Sequence, residues 1–275
     1  MIKNKNIKLV AEIGWNHMGN ISLAKKMIKA AAKNGADICK FQTWQVQNLK
    51  SGPWDFDGRR EIYNKAQLKK DDYKKLINEC KKNNVEFLTS VFNVKDVPFL
   101  KKLKLKKIKI PSHEIYNLSL IKLALKNFST IYLSLGAAKE HELKKILQLV
   151  KKNKKKKIFL MHCVSSYPLS DDNVNLPKLK HLKKITKNVG YSGHTKGIQD
   201  ALAAISMGAK IVEKHFTISN SLPGRDNLNA ILPEEMNSLS KFRNSFVKMS
   251  IDKGLGVQKC EKDIFKNYRG RWSKN

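Results

Sequence analysis

Short apolar runs along this chain end in residues that titrate or hydrogen-bond. Glu12 lies near the end of Lys8–Ile13, with Asn16 and His17 just after it. Lys40 and Gln42 end Asp37–Gln42. Thr89 closes Val85–Thr89, and Ser90 is next. Lys109 sits in Lys107–Ile110, ahead of Ser112 and Glu114. Ser134 follows Ile131–Leu133. His162 ends Ile158–His162, with Ser165, Ser166 and Tyr167 beyond. Ser192 ends Asn188–Ser192, shortly before His194. Glu213 ends Lys210–Glu213, ahead of His215, Arg225, Asp226 and Asn227. Buried charges are costly unless paired or bound to a ligand. Chance would scatter them over both ends of the runs, so their placement predicts one polar cavity for a charged substrate.

The residue types divide the chemistry. Lys40 and Lys109, with Ser112, Ser134 and Ser192, suit a phosphate or carboxylate; either lysine alone is equally an ordinary ion-pair partner. His194 and His215 fall at matching depth on neighbouring runs, where neutral imidazoles could share a divalent metal. Two histidines alone are more commonly hydrogen-bonded core residues. Glu12 and Glu114 could serve as acid, base or hydroxyl acceptor, or as salt-bridge partners of the same lysines. Cys163 directly follows His162. Adjacent strand residues point to opposite faces, so if His162 faces inward Cys163 does not, and cysteine catalysis is rejected.

The eight runs predict strands, and amphipathic segments between them predict helices near 21–34, 71–83, 95–103, 118–126, 139–151, 176–183, 198–207 and 233–248. Leu143, Ile146, Leu147 and Val150 show the i, i+3, i+4, i+7 spacing of a helix face. Gly35 and Gly208 each stand where a helix must end before a strand. Eight strand–helix units with short links predict a parallel sheet, and a closed (β/α)8 barrel, an α/β fold, leaves no edge over. An open doubly wound sheet is the alternative, without a glycine-rich dinucleotide fingerprint to support it. The barrel is expected over 1–250 and a tail over 251–275. In a barrel, chemistry belongs at the carboxyl ends of the strands. Two segments break the pattern. Thr43–Lys70 is a long insertion with Trp44, Trp54, Phe56, Arg59 and Arg60, of a length often found in lids or binding loops. The tail carries Tyr268, Arg269, Arg271 and Trp272, and reads as an arm packed across the barrel or capping it.

Composition bounds the function. The 275 residues fit one large domain, and 41% hydrophobic content can fill its core. No apolar run of about 18 residues exists to span a membrane. Met1–Asn6 is short and polar, unlike a signal peptide. The four cysteines form no CxxC pair, which predicts a reducing cytoplasm. The net charge of +32 could indicate nucleic acid. The lysines, however, are spread over nearly every predicted helix, without an RNA-binding motif, zinc finger or aromatic stacking platform. The six lysines of Lys151–Lys157 read as a helix end and loop before a strand rather than a nuclear signal.

The strand-end strings AEIGWNHMGN, KFQT, TSVF, KIPSHE, LSLG, HCVSSYP, GYSGHTKG, EKHFT and PGRDN occur in this order. Together they resemble the motifs of the N-acetylneuraminate (sialic acid) synthase family, over about residues 8–245. The resemblance implies a (β/α)8 barrel that condenses phosphoenolpyruvate with an open-chain amino sugar aldehyde, giving a nonulosonic 2-keto-3-deoxy acid and phosphate. It implies a divalent metal, manganese or magnesium, on His194 and His215. It places phosphoenolpyruvate contacts at Lys40, Thr89, Lys109, Ser112, Ser134 and Ser192, and reacting-centre carboxylates at Glu12 and Glu114. Tyr167 and Asp226 align with sugar-side positions, Gln42 with a sugar or phosphoenolpyruvate contact, and Arg225 could meet an extra acidic or hydroxyl group on the sugar.

Departures stand out. Gly193 replaces the aspartate of SDHT, Leu135 the hydroxyl residue of LSTG, and PGRDN the usual PGPDH. The family's C-terminal antifreeze-like domain, which reaches across a homodimer, has no counterpart here, so a homodimer or a separate chain supplying it is expected. Neither a membrane nor a nucleic-acid partner is expected. Another phosphoenolpyruvate-dependent keto-deoxy sugar acid synthase, and a non-catalytic sugar- or partner-binding barrel, are the alternatives. If the charge is a solvated surface, binding to DNA or RNA stays weak and flat across a salt titration; the steep loss of affinity expected of phosphate neutralisation would reinstate a nucleic-acid role.

Overall fold

Eight parallel strands close in sequence order into a barrel, β1 beside β8. The structure is a computed structural model that describes residues 7–272, so the reading of Met1–Asn6 lies outside the described residues. The strands are β1 Lys8–Gly14, β2 Ile38–Thr43, β3 Glu86–Val91, β4 Lys107–Ile110, β5 Thr130–Ser134, β6 Lys157–Cys163, β7 Val189–Gly193 and β8 Ile211–His215. Around them run α1 Ile21–Lys33, α2 Arg59–Ala66, α3 Lys70–Lys82, α4 Val97–Lys102, α5 Leu118–Asn127, α6 Glu140–Lys152, α7 Pro177–Ile185, α8 Gln199–Ser206 and α9 Pro233–Met249. The expected (β/α)8 barrel is the observed fold. Among the described residues no helix is long and apolar enough to cross a membrane.

Alternation along the strands builds two cores. Leu9, Ala11, Ile13, Phe41, Ile108, Leu133 and Val212 face outward and pack under the helices. Val10, Ile38, Leu88, Tyr132, Phe159, Met161 and Ile211 face inward and fill the barrel's amino end. With a side-chain period of 2, the next inward layer is Glu12, Lys40, Ser90, Ser134, Cys163 and Glu213, each two residues further along its strand. The charged layer therefore rests on an apolar plug.

Helix ends follow local chemistry. Asn20 caps α1, its side-chain oxygen accepting from the Leu23 N–H at 3.0 Å. Gly35, just past α1, has φ +91°, and a Cβ there would meet Ser240 Oγ at 2.1 Å. Only glycine suits that left-handed position under α9; Gly208 repeats the device after α8, also at φ +91°. The Lys151–Lys157 run is the end of α6, a loop and the first residue of β6.

Two expectations change. The insertion after β2 is not a plain loop but holds α2, of which only Ala66 is buried. A helix that buries one residue leaves no apolar periodicity to read. The described part of the tail, residues 251–272, is exposed throughout, so its side chains do not pack across the barrel.

α9 fastens the barrel's amino end. Arg243 is fully buried and donates to Asp37 Oδ2, to the Ile7 and Gly35 carbonyls, and to Ser240 Oγ. Replacing Arg243 by Leu removes the cation that pairs with the Asp37 carboxylate. The expected loss is about 3–5 kcal/mol in urea denaturation at unchanged m, with partial recovery when Asp37→Leu is added.

Candidate active site

The inward charged layer is a chain of alternating sign. Lys40 Nζ lies 2.7 Å from Glu12 Oε2 and 3.4 Å from Glu213 Oε1. Lys109 Nζ donates to the same Glu213 oxygen at 2.7 Å and to Ser192 Oγ at 3.3 Å. Lys40 also donates to Ser90 Oγ at 3.0 Å. All four charged side chains are buried, at 1–4% exposure. Strand register brings them together: Glu12 pairs with Lys40 and His215, and Ser90 with Lys109.

Their protonation follows from burial set against neighbours. Burial pushes the Glu12 carboxyl above its ordinary range, Glu213 adds to the push, and Lys40 opposes it. Burial also works against a charged Glu213, but Lys109 and Lys40 outweigh it and hold that carboxylate well below its ordinary range. Burial and the charge of Lys40 lower Lys109, with Glu213 opposing. Lys40, flanked by both carboxylates, is raised despite its burial. Glu213 is thus the firmly ionised member and Glu12 the one ready to take up a proton.

Above this layer opens a cavity of about 1160 Å³. Gln42, Glu114, Tyr167, His194, His215, Arg225 and Asp226 line it. Glu12, Lys40, Lys109, Ser112, Ser134 and Ser192 are buried beneath or beside it. Gln42 Nε2 donates to Glu12 Oε1 at 2.7 Å, joining wall to floor. Ser165 Oγ donates to Ser112 Oγ at 2.7 Å. Ser134 Oγ and Glu213 Oε2 are buried without a hydrogen-bond partner among the described residues. Buried polar atoms of that kind call for a ligand or water. Glu114 sits on a turn after β4, held by Asn117 Nδ2 at 3.3 Å, and partial burial raises its carboxyl.

One expected contact is displaced by a residue. Thr89 points away from the interior: its hydroxyl lies 2.8 Å from Thr43 Oγ1 and donates to the Phe41 carbonyl at 3.2 Å. The inward position on β3 belongs to Ser90. Strand alternation allows only one of the two hydroxyls to face the lysines. The His162–Cys163 pair is also split the other way round. His162 faces the helices, with Nε2 2.7 Å from the Val174 carbonyl. Cys163 faces inward, with Sγ 4.0 Å from His194 Nδ1. Burial raises that thiol, which keeps it protonated and unreactive.

The NeuB family model matches residues 27–253. The chain belongs to the NeuB family. It is therefore an enzyme, a synthase of the transferase class. It is 36% identical to the N,N'-diacetyllegionaminic acid synthase of Campylobacter jejuni, over 96% of this chain and 82% of that one. With the enzyme of the same name from Legionella pneumophila, identity is 33% over 84% and 69%. The N-acetylneuraminic acid synthetase of Leptospira borgpetersenii, solved with citrate, superposes with TM-score 0.85 at 31% identity, covering 98% of this chain and 93% of that one.

In this NeuB chain the two rim histidines lie with ring centroids 5.6 Å apart, and Tyr167 packs 4.0 Å from His194. Ser192 pairs with Glu213 and Gly193 with Lys214, which brings His194 level with His215. Burial, reinforced by His215, pushes His194 down to about 3. Its Nδ1 lies 2.7 Å from the Val164 carbonyl, so Nδ1 carries the proton and Nε2 the lone pair, the arrangement of a metal-ligating imidazole. His215 Nδ1 is 3.3 Å from Asp226 Oδ2, close enough for attraction but without hydrogen-bond geometry. Among the described residues no three His, Cys, Asp or Glu groups converge as a metal cage.

The departure at Gly193 has a structural answer. A Cβ there would meet Asp200 Oδ2 at 2.1 Å. The carboxylate in that space comes from α8, held by Lys214 at 3.1 Å and by the Tyr191 hydroxyl at 2.9 Å. In the PGRDN loop, Asn227 Nδ2 donates to the Asn16 and Pro223 carbonyls, fastening the loop that carries Arg225 and Asp226 to the β1 end. Glu213 stands in the predicted ring of strand-end groups, but the sequence gives it no role. Its only signal was an acid two residues before a rim histidine.

His17 lies apart from the cavity. Its ring packs 5.9 Å from Phe41, and Nδ1 accepts the Gly19 N–H at 3.0 Å. Burial pushes it down to about 4. The unfolded chain, with histidine near 6.5, takes up this proton first. The stabilisation from neutral His17 is complete above about pH 6.5 and is lost as pH falls towards 4. Denaturation of the wild type should show about 2 kcal/mol of this loss by pH 5, and His17→Gln should flatten that slope.

Proposed function

We propose that the chain is a nonulosonic acid synthase, joining phosphoenolpyruvate to an open-chain acylamino sugar aldehyde and releasing phosphate. The observation that carries this reading is the buried row Glu12–Lys40–Glu213–Lys109 beneath a cavity with two imidazoles on its rim. Membership of a family whose relatives are named for such products supports it.

Phosphoenolpyruvate is small and doubly charged, and needs cations placed in advance. Lys40 and Lys109 supply them, while Ser90, Ser112, Ser134 and Ser192 offer hydroxyls to phosphate and carboxylate oxygens. Fixed placement lowers the entropic part of the barrier. C3 of phosphoenolpyruvate forms a bond to the aldehyde carbon, and positive charge develops at C2. Glu12, below C2 in this reading, stabilises that charge and accepts a proton from the attacking water. The C2–O bond to phosphate then breaks, leaving the 2-keto acid. Glu114, raised by partial burial, delivers a proton to the former aldehyde oxygen. Gln42, Tyr167, Arg225 and Asp226 orient the sugar. His194, through Nε2, and His215 would hold a manganese or magnesium ion, which would supply a Lewis acid for the aldehyde oxygen.

The test is phosphate release from phosphoenolpyruvate across a panel of acylamino sugars, with and without manganese, and mass spectrometry of the product. Activity should require the metal and yield a nine-carbon acid. His215→Ala should abolish metal-dependent release, and Glu12→Gln should lower kcat by about 10²–10⁴-fold. Unchanged turnover in His215→Ala, or equal rates after chelation, would refute the metal role; a shorter product would reassign the acceptor.

A further inference from the structure

Behind the rim histidines lies a buried ion pair that the chemistry above does not use. Lys214 stands between Glu213 and His215 on β8. By strand alternation it faces the helices, while its two neighbours face the barrel. Its ammonium meets the Asp200 carboxylate of α8, and both side chains are 1% exposed. Lys214 Nζ lies 3.1 Å from each carboxylate oxygen. It also donates to the Thr195 carbonyl at 2.7 Å and to Thr195 Oγ1 at 3.3 Å. The Tyr191 hydroxyl donates to Asp200 Oδ2 at 2.9 Å.

The shortest of these Lys214 bonds goes to the residue after His194. β7 ends at Gly193, so His194 itself lies beyond the strand. Three bonds hold it there. Its Nδ1 meets the Val164 carbonyl at 2.7 Å, and its own carbonyl accepts from the Leu169 N–H at 3.0 Å. Both of these come from the loop after β6. The third is the hold of Lys214 on the Thr195 carbonyl. It carries the β7–β8 pairing past its last ladder pair, Gly193 with Lys214, and so ties His194 to the strand that bears His215. Asp200 keeps the ammonium in place, since a buried lysine without an anion is costly. The carboxylate occupies the space of a side chain at 193, where a Cβ would meet Asp200 Oδ2 at 2.1 Å and the Tyr191 ring at 2.6 Å. There is room for one carboxylate beside Lys214, and α8 supplies it. Fastening α8 to the barrel needs only the ion pair; the bond to Thr195 adds a hold on the turn.

We propose that Asp200 is a positioning residue for His194: it fixes Lys214 against the Thr195 carbonyl, and that bond sets the direction in which the imidazole projects beside His215. The consequence for a metal rests on the synthase reading above; the position of the ring does not. Groups that orient a ligating histidine from behind change metal affinity by about 10–100-fold. Lys40 and Lys109 belong to the inward row with Glu12 and Glu213, so loss of Asp200 leaves the cations for phosphoenolpyruvate in place. The carboxylate acts by where it stands and not by the element that bears it. Moved to position 193, it restores the hold.

The experiment compares the wild type with Asp200→Ala and with the exchange Gly193→Asp/Asp200→Ala, each checked for folding by circular dichroism. Manganese binding is read by electron paramagnetic resonance. The imidazole is read in the metal-free protein by nitrogen NMR of labelled histidine, with His194→Gln assigning the signal. Asp200→Ala should weaken manganese binding by about tenfold or more and shift the His194 nitrogens from a fixed Nδ1–H pattern towards an exchange average. KM for phosphoenolpyruvate should stay unchanged. The exchange should bring both readings back towards the wild type. Should Asp200→Ala fail to fold, Asp200→Leu/Lys214→Met replaces the pair by apolar groups, a change proteins often tolerate, and should show the same two losses. Wild-type manganese affinity and His194 nitrogens in a folded variant, or an exchange no better than Asp200→Ala, would overturn the proposal. So would an equal weakening towards phosphoenolpyruvate, the mark of general loosening. A wild type that binds no manganese would count against the metal in the synthase reading, and the His194 nitrogens would still decide the positioning role.

Discussion

One carboxylate holds the site together. Glu213 Oε1 is shared between Lys40 and Lys109, two ammonium groups that would otherwise repel each other within a dry barrel. At an interior dielectric well below that of water, such repulsion is severe. Glu213 lowers it and so lets two cations stand side by side, the arrangement a doubly charged anion needs. Glu12 completes a row of two acids and two bases. Its net charge is zero, which is how the fold tolerates it above an apolar plug. The arrangement also separates the carboxylates in character, with Glu213 kept ionised and Glu12 pushed towards proton uptake.

Much of this was legible in the sequence because a parallel barrel repeats a simple rule. Each strand reads as a short apolar run, each helix as a period near 3.6, and chemistry gathers where run meets loop. Lys40, Lys109, Glu12, His194 and His215 were found that way, and the structure brings them to one end of one barrel. The residue-level errors share a cause. Thr89 and Ser90 are both hydroxyl residues at the end of β3, and composition cannot say which one the pleat turns inward. His162 and Cys163 are the same problem on β6. Glu213 has no readable role in the sequence for a different reason. An acid at a strand end looks alike whether it binds substrate, ligates a metal or pairs with a lysine from another strand. α2 was illegible because it buries a single residue.

The departures from the family strings acquire physical meaning from what surrounds them. Gly193 is not simply a lost carboxylate, since Asp200 reaches into the same space from α8 and engages Lys214. The charge balance behind the rim is retained by a residue seven positions later, on a different element. Asn227 is wholly buried and bridges the last loop to the first, so the loop bearing Arg225 and Asp226 is anchored to the β1 end. The insertion after β2 contributes Trp44 and Tyr63 to the lining of the cavity. Chemistry at the strand ends under loops that carry specificity is the usual division of labour in barrels.

The Arg243 clasp has a consequence for the order of assembly. It joins the last helix to Asp37, across 206 positions of chain. Contacts so distant carry a large loop-closure entropy and form late. During synthesis the early strands emerge before the guanidinium that will bind Asp37 and the Ile7 and Gly35 carbonyls, and only the arrival of α9 supplies it. The barrel's final seal is therefore a property of a nearly finished polypeptide, and a nascent chain interrupted before residue 243 would present an unlatched sheet to whatever meets it first.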